Sequence, residues 1–344
     1  MNAFNTAPHG HIDRPLQFSL FLLSAVWLFV SQSLAGRAAL GLSVRFNLSD
    51  ERNLLTVVFL LFLLAIGFSF LQMIAHRDSS LRAALGLPRR ATAAREWSTG
   101  AAIGWGLVVL AVLPMAFAGA LHVEFWTEPR AFWLAVLNLA TLAIAALAEE
   151  VAFRGYPFRR LIELIGPVKA TILMSIFFGA LHMFNPAATW ISVLITMFAG
   201  VLLSIAWLRT HGLWLPWGLH FGWNASMGIL FGLPVSGIVD FSSVVQTRAI
   251  GRSWLTGGNY GPEGAFFTIL VLAIGIVVLV RVTRDYEWEY THKPIIAGGY
   301  PVDVAPPAAH TAMEQEAKPP ALVQILPVEP PTRSPEKLPG ETPK

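Results

Sequence analysis

Eight stretches of about twenty mostly apolar residues run through the chain, near 16–36, 54–75, 100–121, 131–158, 168–186, 189–208, 212–232 and 265–283. Few folds are open to such a pattern. A helix needs about 20 apolar residues to cross the hydrocarbon of a bilayer, where each backbone polar group must be bonded internally. The expected fold is therefore all-α: a polytopic membrane protein, a bundle of about eight transmembrane helices, with the lipid bilayer as its first partner. Charge agrees. Only 13% of the 344 residues are Asp, Glu, Lys or Arg, against about a quarter in soluble domains. The formal net charge is +3, and no basic run interleaved with aromatics marks a nucleic-acid surface, so no nucleic-acid partner is expected. Cysteine is absent, which excludes disulfides, thiolate catalysis and cysteine-ligated zinc.

The first apolar run is read as a membrane helix, not a cleaved signal peptide: it is long enough to span, and only Arg14, beside Asp13, precedes it. With the N-terminus inside, the inner segments hold thirteen Lys and Arg and the outer loops six, so both termini are expected to be cytoplasmic; the expected setting is a bacterial-type plasma membrane. Five regions follow. Residues 1–130 hold helices 1–3 and a basic cytoplasmic loop, 76–99, with a short surface helix. Residues 131–232 hold helices 4–7, 233–264 form an outer loop rich in turn residues, and 265–285 the last helix. Residues 286–344 form a tail with eleven prolines from Pro301 to Pro343, which is expected to be disordered. Loop and tail are read as connectors without chemistry. The final Thr342-Pro343-Lys344 is expected to carry no prenylation box of its own.

Ionisable groups inside a membrane span are costly and mark functional candidates. Within the apolar runs the acids are Glu149 and Glu150, in Glu149-Glu150-Val151-Ala152-Phe153-Arg154. His182 and His220 share their setting, the latter in His220-Phe221-Gly222-Trp223-Asn224. Adjacent helical residues point about 100° apart, so the two glutamates cannot both face one substrate. Glu150 and Arg154 are i,i+4 neighbours and can pair, which leaves Glu149 free to face a cavity. His220 and Asn224 share a face by the same spacing. Counted from the nearest inner basic or polar residues, Glu149 and His220 lie roughly 15 Å deep, and His182 and Asn224 roughly 20 Å. Four polar groups from three helices thus reach similar depths. Taken singly, a membrane histidine or asparagine is read as an interhelical hydrogen-bonding group. Gly100-x-x-x-Gly104 and Gly218-x-x-x-Gly222 are read as close helix packing, and tryptophans such as Trp214 and Trp217 as interface anchors and core.

The ordered set Glu149-Glu150-x-x-x-Arg154, Phe178-x-x-x-His182 and His220-x-x-x-Asn224 resembles the signature of the CAAX-protease and bacteriocin-processing family of intramembrane glutamate endopeptidases, over roughly residues 131–232. The resemblance implies a metal-free, cofactor-free hydrolase acting on a peptide or membrane-protein substrate. It implies that Glu149 and His182 hold and activate a water, that His220 and Asn224 form an oxyanion hole, and that Glu150 and Arg154 support the geometry. Three rivals are weighed against it. Glu and His could ligate zinc, although no His-Glu-x-x-His occurs. A non-proteolytic scaffold or immunity protein could keep the fold, and a transporter could use the cluster as a proton relay, although no inverted repeat is visible.

Overall fold

A computed structural model describes residues 14–75 and 81–284. The N-terminal thirteen residues, 76–80 and the proline-rich tail lie outside the described residues. The elements run α1 (Arg14–Phe46), α2 (Arg52–Ile74), α3 (Leu81–Leu85), α4 (Ala93–Phe117), β1 (Leu121–Phe125), α5 (Pro129–Arg154), α6 (Tyr156–Ile165) and α7 (Pro167–Leu181). They continue with α8 (Trp190–Thr210), α9 (Trp214–Ala225), β2 (Val245–Ala249), α10 (Ser253–Thr256) and α11 (Phe267–Val282). A π-turn over Ser226–Leu230 extends α9. Each of the eight apolar runs holds a helix. Six stretches are long and apolar enough to cross a membrane, with α5 and α6 taken as one; α11 is a shorter apolar helix. The fold is that of an all-α polytopic membrane protein.

Boundaries differ from expectation where local chemistry intervenes. The fourth run is not one helix: it breaks at Gly155, with Pro157 in the first turn of α6. Proline disfavours helical backbone at the residue before it and cannot donate to the preceding turn. The depth of Glu149 counted straight to Arg159 therefore crosses a break. Arg160, one of the thirteen Lys and Arg counted on the inner side, is buried; its Nη1 donates to Gln17 Oε1 at 3.2 Å and pairs with Glu163, tying α6 to the start of α1. The third helix begins at Ala93, not near 100, and takes Glu96 into the interior. Thr92 Oγ1 donates to Glu96 at 2.8 Å, and Arg90 pairs with it while donating to the Thr210 carbonyl at 2.6 Å. That loop is laced to the end of α8. The outer loop also has structure of its own: β2 pairs antiparallel with β1, Leu121 opposite Ala249 and Phe125 opposite Val245.

Packing sorts side chains by size. On α1 the buried residues Leu20, Ser24, Leu28, Ser31, Ala35 and Ala39 recur at helical spacing, and Phe18, Leu22 and Val26 face outward. In water such a face would associate; in lipid it is already solvated, and small residues let helices approach. The closest approach joins α4 and α9. A Cβ on Gly100 or Gly104 would strike backbone of Leu215 or Leu219, and one on Gly218 or Gly222 would strike the Trp97 or Ala101 carbonyl. Gly222→Ala is therefore expected to destabilise the protein by about 1–3 kcal/mol through overpacking. Gly106→Ala, where a Cβ meets nothing within 4 Å, is expected to be neutral. Thermal unfolding in detergent measures both, and equal midpoints would show that α4 and α9 are not in backbone contact.

Candidate active site

The end of α5 divides its two acids by direction. Glu150 points into protein and is fully buried, with Arg154 fully buried one turn on. Arg154 Nη1 donates to Glu150 Oε1 at 3.1 Å, and Nη2 donates to the Gly200 carbonyl of α8 at 3.1 Å. The same Glu150 Oε1 lies 2.8 Å from His220 Nδ1 on α9. One carboxylate thus joins α5 to α9, and its arginine joins α5 to α8. The Arg154 guanidinium also sits 4.5 Å over the Phe178 ring of α7, a cation–π contact that strengthens away from water. Phe178 in turn packs against His182 at 4.5 Å and His220 at 6.3 Å between ring centroids. The phenylalanine is the apolar plate against which the arginine and both histidines are set.

The hydrogen bonds constrain the imidazoles. His182, at the end of α7, has Nδ1 2.8 Å from the Phe178 carbonyl. A carbonyl only accepts, so Nδ1 carries the hydrogen, and in the neutral ring Nε2 holds the lone pair. The same reasoning places a hydrogen on His220 Nδ1, facing the Glu150 carboxylate. His220 Nε2 lies 3.7 Å from Glu149 Oε2, too far for a direct hydrogen bond.

Glu149 keeps 37% of its side chain exposed where Glu150 keeps none. It opens on a cavity of about 770 Å³ that also takes in His182, His220 and Asn224. Leu28 and Phe29 of α1, Thr56 and Leu60 of α2, and residues of the loop after α9 form other walls. Glu150 and Arg154 lie behind the wall. Asn224 lies one turn beyond His220, and among the described residues its amide has no hydrogen-bond partner. A smaller cavity of about 50 Å³ is lined by the same His182, His220 and Asn224, with Ser236 and Glu263. Glu149 Oε2 and Glu150 Oε2 are buried without a protein partner, lone pairs that water is suited to satisfy. Among the described residues no three His, Asp or Glu side chains group as an ion's ligands would.

Residues 130–226 match the family model of the type II CAAX prenyl endopeptidases, Rce1-like. The matched segment is CAAX-protease-like. It opens at the start of α5, closes in the turn after Asn224, and contains Glu149, Glu150, Arg154, His182, His220 and Asn224; α1 to α4 and the loop with Glu263 lie outside it. Nothing matches among curated proteins or among solved structures. Ser236 and Glu263 had no signal in the sequence beyond a lone serine and a lone acid among turn residues. The position of Phe178 was visible, but not its contact with Arg154.

The burial difference yields a stability test. Glu150→Gln or Arg154→Ala leaves a buried charge without its partner and is expected to cost about 3–5 kcal/mol. Glu149→Gln, on the cavity side, is expected to leave stability close to wild type. Folded yield and unfolding midpoint in detergent measure all three. An equal loss for Glu149→Gln and Glu150→Gln would contradict the division between them.

Proposed function

We propose that the chain is an intramembrane endopeptidase that hydrolyses a peptide bond with water activated by Glu149. The observation that carries this reading is the convergence of Glu149, His182, His220 and Asn224 on one cavity, with the Glu150–Arg154 pair buried behind them. Both the Glu149 carboxylate and His182 Nε2 are acceptors. A water between them donates one hydrogen to each and turns a lone pair toward a bound peptide carbonyl. Glu149 takes the proton as the water oxygen bonds to the carbonyl carbon, and the carbonyl electrons move onto its oxygen. The Asn224 amide donates to that oxyanion. His220, with Nδ1 held by Glu150, donates from Nε2 when it carries a second proton. Collapse of the intermediate breaks the C–N bond, and the proton on Glu149 passes to the leaving amine.

In this reading residues 131–232 are the catalytic helices, and α1 and α2 before them wall the cavity. The substrate is a peptide or membrane-protein segment; a prenylated CAAX peptide of the kind in the matched family's name and a leader peptide both fit it. Both termini are cytoplasmic, on the Lys and Arg bias. The end of the cavity near Asn53, Thr56 and Asp240 then faces outward.

Purified protein in lipid, incubated with a peptide mixture that includes a farnesylated CAAX peptide, is expected to cleave without added metal. Asn224→Ala should lower turnover on the order of 10²–10³ while sparing affinity, since an oxyanion donor acts mainly in the transition state. Glu149→Ala should cost at least as much. A strong chelator should leave activity intact; loss of activity restored by zinc would show a metalloprotease instead. Full cellular function of Glu149→Ala protein without cleavage would show a scaffold.

A further inference from the structure

The loop after α9, outside the segment that matches the family, grips the site at two points through Glu263. Glu263 Oε1 accepts from Trp223 Nε1 at 2.8 Å, and Trp223 is the residue before Asn224. Glu263 Oε2 accepts from the Ser236 backbone N–H and from Ser236 Oγ, the latter at 2.9 Å. The Ser236 carbonyl accepts from Asn185 Nδ2 at 3.1 Å, three residues beyond His182. Next in the chain, Gly237 N–H donates to the Tyr260 carbonyl at 2.9 Å. Ser236 also holds a left-handed backbone, φ +48°, a region non-glycine residues seldom occupy unless their surroundings impose it. Its two bonds to Glu263 are such an imposition. Ser236 lines both cavities, and Glu263 lines the smaller one with His182, His220 and Asn224.

We propose that Glu263 is a positioning residue of the hydrolytic site, holding Asn224 through Trp223, and the end of α7 that carries His182 through Ser236. The inference rests on the hydrolytic reading above. The Asn224 side-chain amide, with no hydrogen bond of its own among the described residues, depends on the placement of α9 for its aim. Glu263 never touches substrate. A misplacement of about 1 Å at a site of this kind costs on the order of 10²-fold in rate, so an indirect role can still be large.

The test uses the full chain in lipid with the peptide mixture named above. Glu263→Ala is expected to lower kcat on the order of 10²-fold with KM little changed. Glu263→Gln keeps one accepting oxygen, which can serve Trp223 or Ser236 but not both, and should lie between the two. In the Asn224→Ala background Glu263→Ala should cost little more, because residues that act through one another are not additive. Wild-type kcat in Glu263→Ala, while Glu149→Ala is dead, would overturn the proposal and leave the hydrolytic reading standing. Losses that multiply with Asn224→Ala, or failure of both Glu263 variants to fold, would assign Glu263 to general stability and also overturn it. Full cleavage by Glu149→Ala would remove the hydrolytic reading, and this one with it.

Discussion

Everything else in the site is arranged around one fully buried ion pair, Glu150 with Arg154. Removing two charges from water costs several kcal/mol each, and the pair survives only when further hydrogen bonds and contacts surround it. Here the Gly200 carbonyl, His220 Nδ1 and the face of Phe178 supply them. Those partners come from α8, α9 and α7. Holding the pair therefore fixes three helices against α5 at the height of Glu149. The same Glu150 oxygen that binds Arg154 also orients His220. The structural pair and the reactive groups are one network, not neighbours by accident.

How legible this was depended on whether a signal was local. Glu150 and Arg154 could be paired from i,i+4 spacing alone, and the two glutamates separated by the 100° turn between adjacent residues. The glycine spacings in α4 and α9 announced close packing because no other residue fits against a backbone. The eight apolar runs gave the helices, since the bilayer sets their length. What failed were the positions decided by distant partners. Glu96 falls within the expected loop 76–99, yet α4 takes it in to meet Arg90 and the end of α8. Arg160 counts among the inner charges, yet α1 supplies Gln17 and it is buried. No feature of the outer loop's sequence pointed to Glu263, because its partners Trp223 and Ser236 lie 40 and 27 residues away.

The two sides of the site differ in kind. On one side α4 and α9 meet backbone to backbone, which leaves α9 little freedom to shift. On the other, α1 and α2 stand off across a large cavity lined by Leu28, Phe29, Thr56 and Leu60, room for a chain of amino acids beside Glu149. A fixed set of polar groups facing a roomy cavity suits the proposed enzyme, which must hold its donors still while admitting a peptide. On the proposed reading the cavity must also admit water, because hydrolysis consumes it.

Water at Glu149 is thus the central claim, and the absence of cysteine from the chain makes it directly measurable. Single cysteines at Ala145, on the cavity wall of α5, and at Leu139, on its outward face, can be exposed in nanodiscs to a charged thiosulfonate. Only a thiolate attacks that reagent, displacing sulfinate and forming a mixed disulfide, and the thiolate forms in water and not in hydrocarbon. Ala145→Cys should be modified rapidly and Leu139→Cys should stay unmodified. If Ala145→Cys is as protected as Leu139→Cys, the cavity is dry and Glu149 has no water to activate.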